Sequence, residues 1–184
     1  MSGWWAVSYV VLWVLVVVLG ILVVALAREV GTLHLRRGPR GALELDEEGP
    51  PLGEAPEPID ALDSEGRHVT VGGPGGWQLL VFVSPGCPVC REVLPSIEPV
   101  ARVEKLRAVV VSDERDVPVV GGAAVVPAPD IAERYATPGT PYVVLLDAMG
   151  VVRAKGTVNN LEQIEGLVRT AKKRLEIELA GGGA

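Results

Sequence analysis

Residues 4–27 read WWAVSYVVLWVLVVVLGILVVALA without one charged position, whereas every Asp, Glu, Lys and Arg lies at or after residue 28. As a helix rising 1.5 Å per residue, this stretch would run about 36 Å. That is enough to cross a hydrocarbon core about 30 Å thick. Trp4, Trp5 and Tyr9 gather at its start, where an aromatic belt meets the membrane surface. The run is rich in β-branched residues, which favour strands in water. In lipid the backbone must satisfy itself internally, so a helix results. Ala25-Leu26-Ala27 resembles a signal-peptide cleavage site. However, no positive segment precedes the run, and it is long for a signal peptide. The pattern therefore predicts an uncleaved transmembrane helix over residues 4–27.

Past residue 28 the pattern breaks into short periodic pieces. The helix should continue to about Leu35, because Val30, Leu33 and His34 share a face. Gly38-Pro39 then ends it. Four prolines among several acids between residues 46 and 58 complete a juxtamembrane segment and linker over residues 28–58. A folded domain is expected over residues 59–180. IDALDSEGRHVTV (59–71) predicts a hairpin turning at Ser64-Glu65-Gly66. GGPGG (72–76) is a loop, since no Lys-Ser/Thr follows to make it a phosphate cradle. WQLLVFVS (77–84) and LRAVVVS (106–112) are continuous apolar runs of buried-strand length. Between them, Val89, Val93, Leu94, Ile97 and Val100 give helical spacing over residues 88–104.

Residues 113–129 read as loop, with a short strand at 117–120. DIAERYA (130–136) predicts a short helix capped by Asp130. PYVVLLD (141–147) and VVRAKGTV (151–158) form a hairpin through Ala148-Met149-Gly150. A final amphipathic helix starts at Asn159 or Asn160, with Leu161, Ile164, Leu167, Val168, Ala171 and Leu175 along its stripe. Strand–helix–strand, then hairpin and helix, predicts an α/β fold: a mixed sheet flanked by helices.

Charge changes this picture in two ways. The formal net charge is −6 and no basic stripe appears, which argues against nucleic acid as a partner. Arg28, Arg36, Arg37 and Arg40 follow the span while no Lys or Arg precedes it. By the positive-inside bias, the domain would face the cytoplasm.

The chemistry lies in SPGCPVCREVLP (84–95), which holds both cysteines of the chain. A structural zinc site needs about four ligands. Only Cys87, Cys90, His34 and His68 are available, so no metal is expected. Haem attachment needs His after the second cysteine, but residue 91 is Arg. A disulfide closing so short a loop removes little chain entropy. Redox exchange has positive support. The pair follows a buried strand and opens a helix, with Cys87 suited to the N-cap and Pro88 to the first helical position. There the Cys87 thiolate faces free N–H groups and the positive end of the helix dipole, which lowers a thiol pKa. Cys90, one turn on, lies within disulfide reach and would resolve mixed disulfides. Arg91 reads as a solvated surface residue. Pro95 should kink the helix in its second turn.

ATPGTPYVVLLD (136–147) holds the second feature. Pro141 starts a strand, and Thr140 before it would present an extended backbone able to pair with a substrate segment. Trans is the default for such a bond on local sequence.

Together, the strand, CPVC opening a proline-containing helix, and YATPGTP before a hairpin resemble the thioredoxin fold over roughly residues 50–180. The resemblance implies a cis Thr140–Pro141 peptide packed against the cysteines. ALAREVGTLHLRRGPRGAL with VFVSPGCPVCREVLP is similar to the MauD family of methylamine-utilisation accessory proteins. That resemblance implies a membrane-anchored thiol–disulfide oxidoreductase, which helps form or rearrange disulfides in a secreted client. It also implies an extracytoplasmic domain, against the arginine bias. Two departures stand out. Thioredoxins carry a buried acid where this chain has Val81, and Trp where it has Gly86.

Cys87 and Cys90 are the expected catalytic pair, with Pro88, Val89, Thr140 and Pro141 as the client-binding surface. No cofactor is required. The expected partners are client thiols or disulfides and a membrane redox partner. Three rival readings make different demands. A peroxiredoxin-like peroxidase would use Cys87 and need an arginine beside it. A non-enzymatic membrane-tethered assembly factor would use the same surface without redox chemistry. A copper chaperone would need a histidine near the cysteines.

Overall fold

The computed structural model describes residues 3–36, 48–114 and 122–181. The chain divides into two units, residues 1–40 and 41–184. Among the described residues the first unit is one helix, α1 (Gly3–Arg36). Its stretch Gly3–Leu22 has mean hydropathy 2.6. Trp4 and Trp5 are 84% and 80% exposed. A helix this long and apolar meets the physical requirement for a membrane span.

The second unit contains a ribbon and a five-stranded sheet. The ribbon pairs β1 (Ile59–Leu62) antiparallel to β2 (His68–Val71). Asp63 caps its turn: the carboxylate accepts the N–H groups of Glu65 and Arg67 and the Arg67 Nε–H. The sheet has the order β5-β4-β3-β6-β7. Its centre is β3 (Gln78–Val83). It runs parallel to β4 (Arg107–Ser112) and antiparallel to β6 (Tyr142–Leu146). β4 pairs parallel with β5 (Ala124–Pro127), and β6 forms a hairpin with β7 (Val152–Thr157). β5 lies in the stretch read from sequence as loop. At four residues it is too short to show a periodicity, and it ends on Pro127, which cannot donate to a ladder. The strand expected at 117–120 lies outside the described residues.

Every residue of β3 and β6 is buried, because both sheet faces are covered. One face packs α2 (Pro88–Glu104) and α4 (Leu161–Gly181). Its core includes Val81, Val93, Ile97, Val143, Ile164 and Leu167. The other face packs α3 (Pro129–Arg134) and the β1–β2 ribbon, around Leu80, Phe82, Ile131, Tyr135 and Val144. α3 starts at Pro129 and takes Ala128, not Asp130, as its N-cap, with no side-chain cap bond. Proline suits the first helical position, so it sets the start and leaves Asp130 in the first turn. α4 is capped as its sequence suggests: Asn160 Oδ1 accepts the Gln163 N–H at 3.0 Å. Gln163 returns the contact by accepting the Asn159 N–H.

Ties at the sheet end remote from the cysteines close the β6–β7 turn. The Asp147 carboxylate accepts the N–H groups of Met149 and Val151. It also accepts the Arg153 Nε–H at 2.6 Å. Arg153 reaches Glu178 on α4 as well. Gly150 has φ +80°, and a Cβ there would lie 2.8 Å from the Gly73 backbone. Only glycine permits both that conformation and that approach, so the GGPGG loop is docked on the hairpin turn. Gln78 holds the same loop by exchanging two 3.0 Å hydrogen bonds with the Gly72 backbone. Residues of the proline-rich segment also lie on the sheet. The Gly53 N–H donates to the Val152 carbonyl, the Val152 N–H donates to Glu54, and the Tyr142 hydroxyl donates to the Glu48 carbonyl.

Candidate active site

The site forms where β3 ends and α2 begins. A fully buried strand of six residues delivers the chain to Ser84, and a turn follows in which the Cys87 N–H donates to the Ser84 carbonyl at 3.0 Å. Cys87 is the N-cap of α2, with extended backbone (φ −87°, ψ 111°), and Pro88 opens the helix. Helix N-termini leave backbone N–H groups without intrahelical partners. Here the Cys87 sulfur supplies the acceptor, taking the Cys90 N–H at 3.2 Å. No acidic residue lies in the first turn, so nothing there offsets the positive end of the dipole. The helix continues through Pro95 and Pro99 to Glu104. Both prolines are exposed, where the carbonyls they leave unpaired can reach water.

The second half of the site comes from far along the chain. The Thr140–Pro141 peptide is cis. The Cys87 thiol lies 3.6 Å from the Thr140 carbonyl, close enough to donate to it across a separation of 53 residues. The Pro141 carbonyl accepts from Val158, which ties the loop to the end of β7. Pro141 is buried whereas Thr140, Gly139, Pro138, Gly86 and Pro88 are exposed. The six residues expected from sequence thus fall on adjoining segments. Cys87 and Val89 are half-buried, Pro88 and Thr140 face solvent, and Cys90 and Pro141 lie inside. Arg91 is exposed. Sequence reasoning did not single out Ser84, whose carbonyl holds the turn. Its contribution is from the backbone and leaves no mark on residue type.

The two thiols sit in opposite environments, and neither is in a disulfide. Partial burial pushes the Cys87 thiol up. Hydrogen bonding from Cys90, from Thr140 and from the Val89 backbone outweighs that burial and leaves it below its ordinary value of 9.0. Cys90 is 1% exposed. Burial, reinforced by the hydrogen bond with Cys87, pushes its thiol up to about 11. A half-buried sulfur whose ionisation is favoured, backed by a shielded one whose ionisation is not, is an arrangement able to carry thiol–disulfide exchange. In such exchange a thiolate is the attacking species, and a second thiol can resolve the mixed disulfide.

Known proteins sharpen this. No family model matches the chain. It is 37% identical over 183 residues to the methylamine utilization protein MauD of Methylobacillus flagellatus, covering 93% of this chain and 88% of that protein. It is 36% identical over 176 residues to the protein of the same name from Methylorubrum extorquens, covering 90% and 85% respectively. Among solved structures, it is similar in fold to a putative thiol:disulfide interchange protein DsbE from Chlorobium tepidum. That match has a TM-score of 0.54 at 18% identity, over 67% of this chain and 97% of that one.

Proposed function

The chain belongs to the MauD family, and from that membership and the paired cysteines we propose that it is a thiol–disulfide oxidoreductase anchored in a membrane. It assists disulfide formation or rearrangement in a secreted client protein. The observation that carries this reading is the Cys87 sulfur, held at the start of α2 between the Cys90 N–H and the Thr140 carbonyl, with Cys90 shielded behind it. Cys87 exchanges with the client and Cys90 resolves. Pro88, Val89 and the Thr140–Pro141 loop form the surface the client meets, the exposed Thr140 backbone being placed to align an extended segment beside Cys87.

The division of labour along the chain is an anchor over residues 4–27, a juxtamembrane segment over 28–58 and the exchange domain over 59–180. The hydrogen bonds of residues 48, 53 and 54 dock the end of that segment on the domain. The domain works outside the cytoplasm, because disulfides form and persist in oxidising compartments. The arginines after the span bias insertion the other way, and a topology reporter fused after residue 181 distinguishes the two orientations. Electrons pass between the client and a redox partner in the membrane.

Cys90→Ala tests the central claim. Cells carrying that variant should accumulate mixed disulfides through Cys87 that vanish on reduction and are absent from the Cys87→Ser, Cys90→Ala double variant. If no thiol-sensitive adduct forms, the exchange mechanism fails.

A further inference from the structure

Residues 48–54 fall in the stretch read from sequence as linker, yet they cross the β6–β7 hairpin as a strap. At one end the Tyr142 hydroxyl donates to the Glu48 carbonyl at 3.0 Å. At the other, the Gly53 N–H donates to the Val152 carbonyl at 2.9 Å, and the Val152 N–H donates to the Glu54 carbonyl at 2.8 Å. Between these ties Pro50 is buried, and Leu52 packs against the apolar cluster that holds Tyr142, Val144 and Leu146. Gly49 makes the first tie possible. Its φ of +75° lies in the left-handed region, and a Cβ there would overlap the Tyr142 hydroxyl and lie 2.9 Å from the ring Cζ. Glycine alone combines that turn with that approach.

Tyr142 is where the strap meets the exchange site. It opens β6 directly after Pro141 and is 1% exposed. Phe82 and Tyr142 make the last rung between β3 and β6. Beyond that rung the chain turns through Pro141 to Thr140, whose carbonyl lies 3.6 Å from the Cys87 sulfur. On the β7 side the Val158 N–H holds the Pro141 carbonyl by a long 3.3 Å bond. The strap adds a shorter bond one residue further on. The seating of Thr140 matters to Cys87. Burial pushes the Cys87 thiol up, and hydrogen bonding from Cys90, Thr140 and the Val89 backbone brings it below 9.0. A loop that drifts away takes the Thr140 share with it.

We propose that residues 48–54 are a positioning strap for the exchange site: the Glu48 carbonyl, with the room left at Gly49, fixes Tyr142 and so seats the Thr140 backbone against Cys87. Resting on the exchange reading above, the strap adds Glu48, Gly49 and Tyr142 as positioning residues, which act on the sulfur through the loop. The Glu48 contribution is from its backbone carbonyl, so its side chain can vary. The working domain then starts at residue 48, ahead of β1, and the approach to it is part of the site.

The test uses the full reduced chain in detergent micelles. Two properties of Cys87 are read: its rate of attack on oxidised glutathione, and the pH midpoint of its labelling by iodoacetamide. Tyr142→Phe removes only the hydroxyl. It should slow the attack about fivefold, the factor that one net hydrogen bond carries, and raise the labelling midpoint. Gly49→Ala should do the same. Because the two substitutions break one tie, the double variant should be no slower than the slower single variant. Gly66→Ala is the control for lost stability. Gly66 also has a positive φ, +78°, but a Cβ there meets nothing. Alanine at such a φ destabilises the fold, yet Cys87 should keep its wild-type rate and midpoint. A wild-type rate and midpoint in Tyr142→Phe overturn the proposal, and that conservative variant decides the matter should Gly49→Ala fail to fold. Equal slowing by Gly66→Ala and Gly49→Ala overturns it too, since general loosening would then explain both. Wild-type Cys87 that never attacks the disulfide removes the exchange reading, while the labelling midpoints still decide whether the strap seats the loop.

Discussion

Alkylation should separate the two cysteines by at least about tenfold at neutral pH, and the size of that gap can be worked from the site. The perturbation is pH in the presence of iodoacetamide. Cys87 ionises below 9.0, while Cys90 ionises at about 11. A difference of more than about two pKa units gives Cys87 over a hundredfold larger thiolate fraction near pH 7. The more acidic thiolate is also the weaker nucleophile. With a Brønsted slope near 0.5, two units cost about tenfold in intrinsic reactivity. A net preference of about tenfold remains before access is counted. Cys90 is 1% exposed, which widens the gap. Both residues fall in one tryptic peptide ending at Arg91, and fragment masses assign the label. Cys87 labelling should rise with pH and level off with a midpoint below 9. Cys90 should stay unlabelled until the pH nears 11. Similar rates for the two, or a Cys87 midpoint at or above 9, would refute the reasoning about the helix N-terminus.

Other consequences concern stability, measured by denaturant unfolding of the detergent-solubilised chain. Ile97→Ala empties a site that is 0% exposed and should cost about 2–5 kcal/mol; a loss below about 1 kcal/mol would mean α2 is not seated on the sheet as described. The Tyr135 hydroxyl is buried without a hydrogen-bond partner among the described residues, and burial pushes its ionisation up to about 12. Tyr135→Phe should therefore leave stability unchanged or raise it by about 1 kcal/mol, whereas a clear loss would reveal a partner. Hydrogen bonds led by the Arg67 N–H hold the Asp63 carboxyl below its ordinary 3.8. Its contribution is full above about pH 4 and disappears as the pH falls through the lowered value. Asp63→Asn should flatten that acid limb, and an unchanged acid limb would count against the turn.

Much of this protein was legible along the chain because the signals are local. An uncharged run of membrane-spanning length needs no tertiary context to be apolar. Cys87 and Pro88 follow an apolar run, and N-cap and first-turn preferences act over a few residues. α2 accordingly begins at Pro88. The hairpin β6–β7 and the cap at Asn160 belong to the same class. Where two local preferences competed, the outcome was less legible. Pro129 took the start of α3 from Asp130, and β5 became a strand through pairing with β4 rather than through its own pattern.

Only the assembled sheet decided the character of the two thiols. Sequence placed Cys90 one turn behind Cys87. Its ionisation, however, depends on its burial in a core that also holds residues of β3, β6 and α4. Likewise, sequence marked Thr140-Pro141 as an extended loop. The 3.6 Å approach of its carbonyl to Cys87 requires β3 and β6 to lie side by side. Helix caps are set by neighbouring residues, and so the sequence alone could place the paired cysteines at the start of a helix. Proton affinity is set by solvent exclusion and by partners brought from far along the chain, and so only the tertiary structure separates the sulfur whose ionisation is favoured from the reluctant one.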